Sequence, residues 1–206
     1  KYLGESNQTT QIYDQTKTKI DRGQIITDVY DGKEEYMRHK ITENGISPRA
    51  FPGTKNALVR TNADEHNELG YTTENPVLAT KMAEKRFKKL EALTKELQNH
   101  ATVKLHGPKT AKTTIIGWGS TKGPILEAMK ILNEKETKVN YLQVVYLMPF
   151  PADKLKGMLQ SAKTTVVVEN NQTSQLSSLI REYLLVDVDH QILQYDGRPF
   201  NPQSLA

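Results

Sequence analysis

Thr113-Thr114-Ile115-Ile116-Gly117-Trp118-Gly119-Ser120-Thr121-Lys122-Gly123, followed by Ile125, Leu126, Met129 and Leu132 at helical spacing, decides how this chain is read. The apolar run before Gly117 has the length and β-branched character of a buried strand, and the later apolar positions mark one face of a helix. Strand, small-residue turn and amphipathic helix in that order make one unit of an α/β sheet. Glycines suit the turn because they accept positive φ and let backbones approach closely.

Downstream, the plan repeats. A strand is expected from Val139 to Leu147, then Pro149-Phe150-Pro151 and a short helix from Ala152 to Ser161. The run Thr164 to Val168 reads as a third strand, ending in Glu169-Asn170-Asn171 ahead of a helix that carries Leu176, Leu179, Ile180, Tyr183 and Leu184. His190 to Gln194 gives a last strand. Strands alternating with helices predict a mostly parallel sheet with helices on both faces and right-handed crossovers.

Upstream the chain is different. Lys1 to Lys19 is polar and without periodicity, and it opens without an initiator methionine, which suggests a fragment or a processed piece. Gln24 to Val29 and Tyr36 to Ile41 have strand propensity, with a turn at Asp31-Gly32 between them. Thr42 to Pro76 is broken by prolines and glycines and reads as a long loop, a length that is usually functional or disordered. A helix from Val77 to Asn99 places Ala79, Met82, Ala83, Phe87 (or Arg86), Leu90, Leu93 and Leu97 on one face. Its lysines, Lys81, Lys85, Lys88, Lys89 and Lys95, alternate with glutamates and read as a solvated face. Gly107-Pro108 to Lys112 reads as a linker into the α/β unit.

Composition narrows the function. With 36% hydrophobic and 25% charged residues the chain resembles a soluble globular protein, and it has no apolar run of membrane-spanning length. A cytoplasmic location is expected. The net charge of +4 is spread thinly and accompanies no nucleic-acid-binding motif, so neither nucleic acid nor membrane is an expected partner. Zero cysteines rule out disulfides, thiolate metal sites and an iron–sulfur cluster held by this chain alone.

Ligands of parallel sheets sit beyond the carboxyl ends of the strands. Two loops fall there: Gly117 to Gly123, with Gly119 and Ser120, and Glu169 to Ser174, with Asn170 and Asn171. Each opens onto a helix N-terminus, where unpaired N–H groups attract anions. The same residues also suit plain turns, with Ser120 or Thr121 capping one helix and Thr173 the other. No nucleophile elbow surrounds a serine, and His39, His100, His106 and His190 are scattered without metal-ligand spacing, so no catalytic or metal residue is assigned. His66, between Glu65 and Glu68, suits an acid/base pair, a metal cluster or a solvated loop. Arg49 lies between Pro48 and Pro52 in a stiffened loop, placed for a carboxylate or phosphate, or for a salt bridge at a surface or subunit contact.

Several of these stretches, taken in order, resemble one family. Gly45-Ile46-Ser47-Pro48-Arg49, Pro52-Gly53, Glu65-His66-Asn67-Glu68 and Gly70 are similar to the alpha subunit of 2-oxoacid:ferredoxin oxidoreductases, especially the 2-oxoglutarate type. Gly117-Trp118-Gly119-Ser120, Pro149-Phe150-Pro151, Glu169-Asn170-Asn171 and Gln175-Leu176 resemble that subunit's last domain, which is similar to the carboxyl-terminal domain of transketolases. A glycine is expected where Ser174 stands.

The resemblance implies a thiamine-diphosphate enzyme that oxidatively decarboxylates a 2-oxoacid, passes the acyl group to coenzyme A and sends electrons through iron–sulfur clusters to ferredoxin. It further implies that residues 1–42 are the tail of the pyrimidine-binding domain, 43–106 a long loop and linking helix, and 107–206 the transketolase-like α/β domain. Thiamine diphosphate, magnesium and the clusters would belong to other domains or subunits, among them the thiamine-diphosphate-binding beta subunit and a gamma domain. This piece would pack and position, inactive alone, with Arg49, His66 and Glu68 bordering the active-site channel or an interface. Two other readings stay open: a non-enzymatic α/β interaction domain, and an anionic-ligand-binding domain using the Gly117 to Gly123 loop.

Overall fold

The computed structural model describes Ile12, residues 14–17 and residues 20–206. The expectations for Lys1 to Lys19, and for the start of the 1–42 segment, lie outside these residues except for Ile12 and residues 14–17, of which Gln15–Lys17 form one 3-10 turn. The described chain divides into two compact units, residues 12–96 and 97–206.

In the first unit, β1 (Ile25–Ile26) pairs in parallel with β2 (Arg49–Ala50), Ile25 opposite Arg49 and Ile26 opposite Ala50. The strand expected at Tyr36 to Ile41 does not form. Tyr36 is instead buried with Ala50 and Ala57 in a small core that Ile26, Tyr30 and Val59 complete. A parallel pair needs a crossover between its strands, so the Asp31-Gly32 turn serves that connection rather than a hairpin. The long loop is ordered by side chains that satisfy its backbone: Asn67 Oδ1 accepts from the N–H of Leu69 and of Tyr71, and Arg60 lies 3.7 Å over the Tyr71 ring while donating to the Leu69 carbonyl.

Helix α1 (Pro76–Leu97) starts where its chemistry dictates. Asn75 Oδ1 accepts from the N–H groups of Val77 and Leu78, and Pro76, which has no N–H to leave unpaired, takes the first helical position. Its buried face departs from the expected stripe. Met82 and Leu97 are buried, but Phe87 is 68% exposed and Lys85 only 8%.

The second unit holds β3 (Val103–His106), β4 (Thr113–Trp118), α2 (Lys122–Glu134), β5 (Val139–Val144), α3 (Ala152–Leu159), β6 (Thr164–Glu169), α4 (Gln175–Leu184), β7 (His190–Leu193) and α5 (Pro202–Leu205). The sheet runs β3-β5-β4-β6-β7, parallel throughout except for the antiparallel edge pair of β3 with β5. Each strand and helix expected from Thr113 onward is present with its ends shifted by a few residues. β3 was not expected: only Val103 of its four residues is buried, so an edge strand leaves little apolar alternation to read.

Helices cover both faces. On one, Phe150, Leu155, Leu176, Ile180 and Leu184 pack with Ile116, Leu142 and Val167 of the sheet; on the other, Ile125, Met129 and Phe200 pack with Ile115, Tyr141 and Val168. Fully burying each such side chain contributes about 1.5–3 kcal/mol, and that drives the layers together. Gly117 belongs to β4 itself. A Cβ there would lie 2.8 Å from Ile125 Cδ1 and 2.9 Å from Thr121 Oγ1, so its glycine lets α2 close on the sheet. None of the described helices is long and apolar enough to cross a membrane.

Candidate functional site

The sequence brings Arg49 to a wall of cations. Pro48 and Pro52 stiffen its loop, the Arg49 N–H donates to the Gln24 carbonyl at 2.9 Å, and the guanidinium lies 5.3 Å from the Phe51 ring centre. The Tyr36 hydroxyl fixes both neighbours, donating to Pro48 O at 3.0 Å and accepting from Ala50 N–H at 2.8 Å. Arg49 lines a cavity of about 310 Å³ together with Arg22, Arg38, His39, Lys85 and Lys89, and no carboxylate lines it.

Two buried nitrogens of that lining, Arg49 Nε and His39 Nε2, have no hydrogen-bond partner among the described residues. Burial holds the His39 imidazole down to about 4, and the neighbouring His66, Arg38 and Lys85 push the same way. Burial also lowers the Lys85 ammonium, with repulsion from Lys89 and Arg38 adding to it and Glu68 opposing. A concave site of this kind, cationic and without its own counter-charge, concentrates and orients anions. Guanidinium groups are particularly suited to carboxylate and phosphate, which they grip with two parallel N–H donors.

His66 and Glu68 take other places. The His66 ring lies tilted against His39, centroids 4.0 Å apart, and its Nδ1 sits 2.8 Å from the Asp64 carbonyl. Glu68 Oε1 accepts from the Ile41 N–H at 2.6 Å, and its side chain lines a separate cleft with Met37, Ile41 and Met82. Glu65 pairs with Arg86 through two hydrogen bonds, 2.6 and 3.1 Å, which hold its carboxyl down to about 2. His66 thus supports His39, and the acidic residues are already engaged. Among the described residues no group of three or more His, Asp or Glu could hold a metal ion.

The sequence reading missed Arg22, Arg38, His39, Lys85 and Lys89. A signal existed for two of them: Lys85 and Lys89 fall three and seven residues after Met82, on the buried side of α1. Gly45 then decides the close approach. At φ +74° it sits where a Cβ would lie 2.5 Å from the Lys85 carbonyl, so only glycine lets the loop cross the helix at that turn.

In the second unit, Gly119, Ser120, Asn170 and Asn171 do come together, with Trp118, Thr121 and Gln175, around a cleft of about 210 Å³ at the carboxyl ends of β4 and β6. Gly123 lies in α2 and does not line it. Groups of the chain itself take up donors at both helix N-termini. The N–H of Lys122 donates to Gly119 O, and Pro124 has none to give. The N–H groups of Leu176 and Ser177 donate to the carboxylate of Glu169, which is fully buried. Glu169 accepts in addition from Trp118 Nε1 (3.2 Å), Asn171 Nδ2 (2.7 Å) and Ser174 Oγ (3.1 Å). The expected caps are therefore replaced: Thr121 Oγ1 donates to Trp118 O, and Glu169 takes the role assigned to Thr173. The protein's own carboxylate is the anion at this helix end, and the cleft is left neutral and polar.

Known proteins carry a similar sequence over both units. Residues 111–205 match the family described as pyruvate:ferredoxin oxidoreductase core domain II. The chain is 39% identical over 184 residues to 2-oxoacid:ferredoxin oxidoreductase 1, subunit alpha, of Sulfurisphaera tokodaii, a match covering 89% of this chain and 28% of the relative. It is 33% identical over 201 residues to the alpha subunit of 2-oxoacid:ferredoxin oxidoreductase 2 of Aeropyrum pernix, covering 97% and 30%. Among solved structures, the 2-oxoglutarate:ferredoxin oxidoreductase of Magnetococcus marinus, with 2-oxoglutarate, coenzyme A and succinyl-CoA bound, matches with a TM-score of 0.65 and 32% identity over 86% of this chain and 31% of that one. The chain thus spans under a third of the length of these relatives. With sequence likeness running through the Arg49 loop as well as the sheet, the chain belongs to the 2-oxoacid:ferredoxin oxidoreductase alpha-subunit family.

Proposed function

We propose that this chain is the part of an alpha subunit that seats the carboxylate of a 2-oxoacid on Arg49, in a cytoplasmic enzyme that oxidatively decarboxylates the acid to an acyl-CoA and passes electrons to ferredoxin. The observation that carries this reading is the Arg49 cavity, cationic, free of lining carboxylates and with Arg49 Nε unpartnered. The bound 2-oxoglutarate of the Magnetococcus marinus relative supports the substrate class.

Thiamine diphosphate would supply the electron sink for decarboxylation, and iron–sulfur clusters the electron path. The residues of this chain do not fit the clusters, since it contains no cysteine. Those groups, and magnesium, are assigned to the other domains or subunits, including the beta subunit and gamma domain. What this chain does is bind and orient. Arg49 would grip the carboxylate, Tyr36 would hold the Arg49 backbone, and the surrounding cations would raise the local concentration of the anion. The α/β unit would pack against the neighbouring domains, as a transketolase-like carboxyl-terminal domain.

The test is Arg49→Ala in the assembled enzyme, assayed with a viologen acceptor and coenzyme A. Loss of a charge-assisted fork should raise the KM for the 2-oxoacid about ten- to a hundredfold. Unchanged kinetics would remove Arg49 from the site.

A further inference from the structure

A single carboxylate does not account for the cavity around Arg49. Arg22, Arg38, Arg49, Lys85 and Lys89 line it with no acidic residue among them, so a ligand with one negative charge would leave most of the positive charge unanswered. Lys85 is the telling member. It is only 8% exposed, and lysine is almost never buried unless paired. No carboxylate among the described residues comes within ion-pair distance of it; Glu68 acts on it only from farther off, while Lys89 and Arg38 repel it. Chain geometry holds it there: α1 turns Lys85 to the same side as Met82, and the backbone of Gly45 presses on the Lys85 carbonyl. A buried cation kept among other cations is stabilised by whatever anion enters. The cavity, at about 310 Å³, is at the small end of ligand pockets and suits a compact metabolite.

We infer that Lys85, with Arg38 and Lys89 beside it, is a specificity-determining residue that holds the second carboxylate of a dicarboxylic 2-oxoacid whose first carboxylate lies on Arg49. The inference rests on the reading of the Arg49 cavity as the substrate's seat. Lys85 touches the far end of the substrate and takes no part in bond breaking.

The experiment uses the assembled enzyme, with Lys85→Gln, Lys85→Arg and Arg49→Ala. Two quantities are read for each: the KM and kcat for 2-oxoglutarate, and the competitive inhibition constants of glutarate and butyrate, a diacid and a monoacid that need no turnover. Lys85→Gln should raise the 2-oxoglutarate KM and the glutarate constant about ten- to a hundredfold, with kcat and the butyrate constant within about twofold. Lys85→Arg, which keeps the charge, should restore most of the loss and shows that the site still folds. Equal weakening of glutarate and butyrate, no change in either, or an effect confined to the KM of coenzyme A would overturn the inference. Arg49→Ala separates the two readings. If it weakens both acids while Lys85→Gln weakens neither, only the assignment of Lys85 falls; if it weakens neither, the cavity is not the substrate's seat.

Discussion

Tyr36 holds Arg49 by the backbone on either side of it. Its hydroxyl donates to the Pro48 carbonyl at 3.0 Å and accepts from the Ala50 N–H at 2.8 Å, from a ring that is itself buried. Removing the hydroxyl leaves a buried N–H without its partner, which costs about 1–3 kcal/mol. Tyr36→Phe should therefore lower stability by that amount in denaturant unfolding and loosen Arg49. In the assembled enzyme the 2-oxoacid KM should rise several-fold, less than for Arg49→Ala. A Tyr36→Phe enzyme with both quantities unchanged would mean that Pro48 and Pro52 position Arg49 unaided.

His39 links the cavity to pH. Its folded-state pKa is about 4, below the ordinary 6.5, because burial and then the charges of His66, Arg38 and Lys85 disfavour the imidazolium. The unfolded chain takes up the proton first as pH falls. The contribution of neutral His39 is thus complete above about pH 6.5, shrinks as pH drops toward 4, and flattens below that. Unfolding midpoints measured between pH 7 and 4 should fall more steeply for the natural protein than for His39→Gln. Parallel curves would show that His39 is not held neutral. Glu65, held down to about 2 by Arg86, acts at lower pH and equally in both proteins.

Glu169 and Ser174 offer a paired test in the sheet unit. Glu169 accepts from Trp118, Asn171, Ser174, Leu176 and Ser177, so Glu169→Gln turns an amide N–H₂ toward donors and should cost about 3 kcal/mol. Trp118 is the sole tryptophan, and its fluorescence reports the change directly. Ser174 stands at φ +51°, in the left-handed region that costs a side-chain-bearing residue about 1–2 kcal/mol, which explains why a glycine is expected there. Its hydroxyl bond to Glu169 offsets that strain. Ser174→Ala loses the bond and keeps the strain, whereas Ser174→Gly loses both. The glycine variant should be the more stable of the two by about 1 kcal/mol. Equal stabilities would place the worth of Ser174 outside its backbone conformation.

The α/β order of residues 113–206 was legible because each element carries its own period: Thr113 to Ile116 as an unbroken apolar run, Ile125, Met129 and Leu132 as a helical stripe, Leu176, Ile180 and Leu184 as another. The stiff loop around Arg49 was legible because its prolines act locally. What stayed hidden depends on neighbours far away in sequence. The parallel pairing of Ile25–Ile26 with Arg49–Ala50, the edge strand at Val103–His106 and the burial of Lys85 leave no periodic mark. Nor can a sequence say that Glu169 turns its carboxylate to the start of its own following helix, closing a site that an outside anion would otherwise use. By itself the sequence determined the layers of the sheet unit, the presence of the long helix α1 and the family, since these rest on local periods, propensities and motif order. Only the tertiary structure decided which charges share a cavity and which are already paired, because burial and Coulombic balance depend on the distance between side chains brought together from separate parts of the chain.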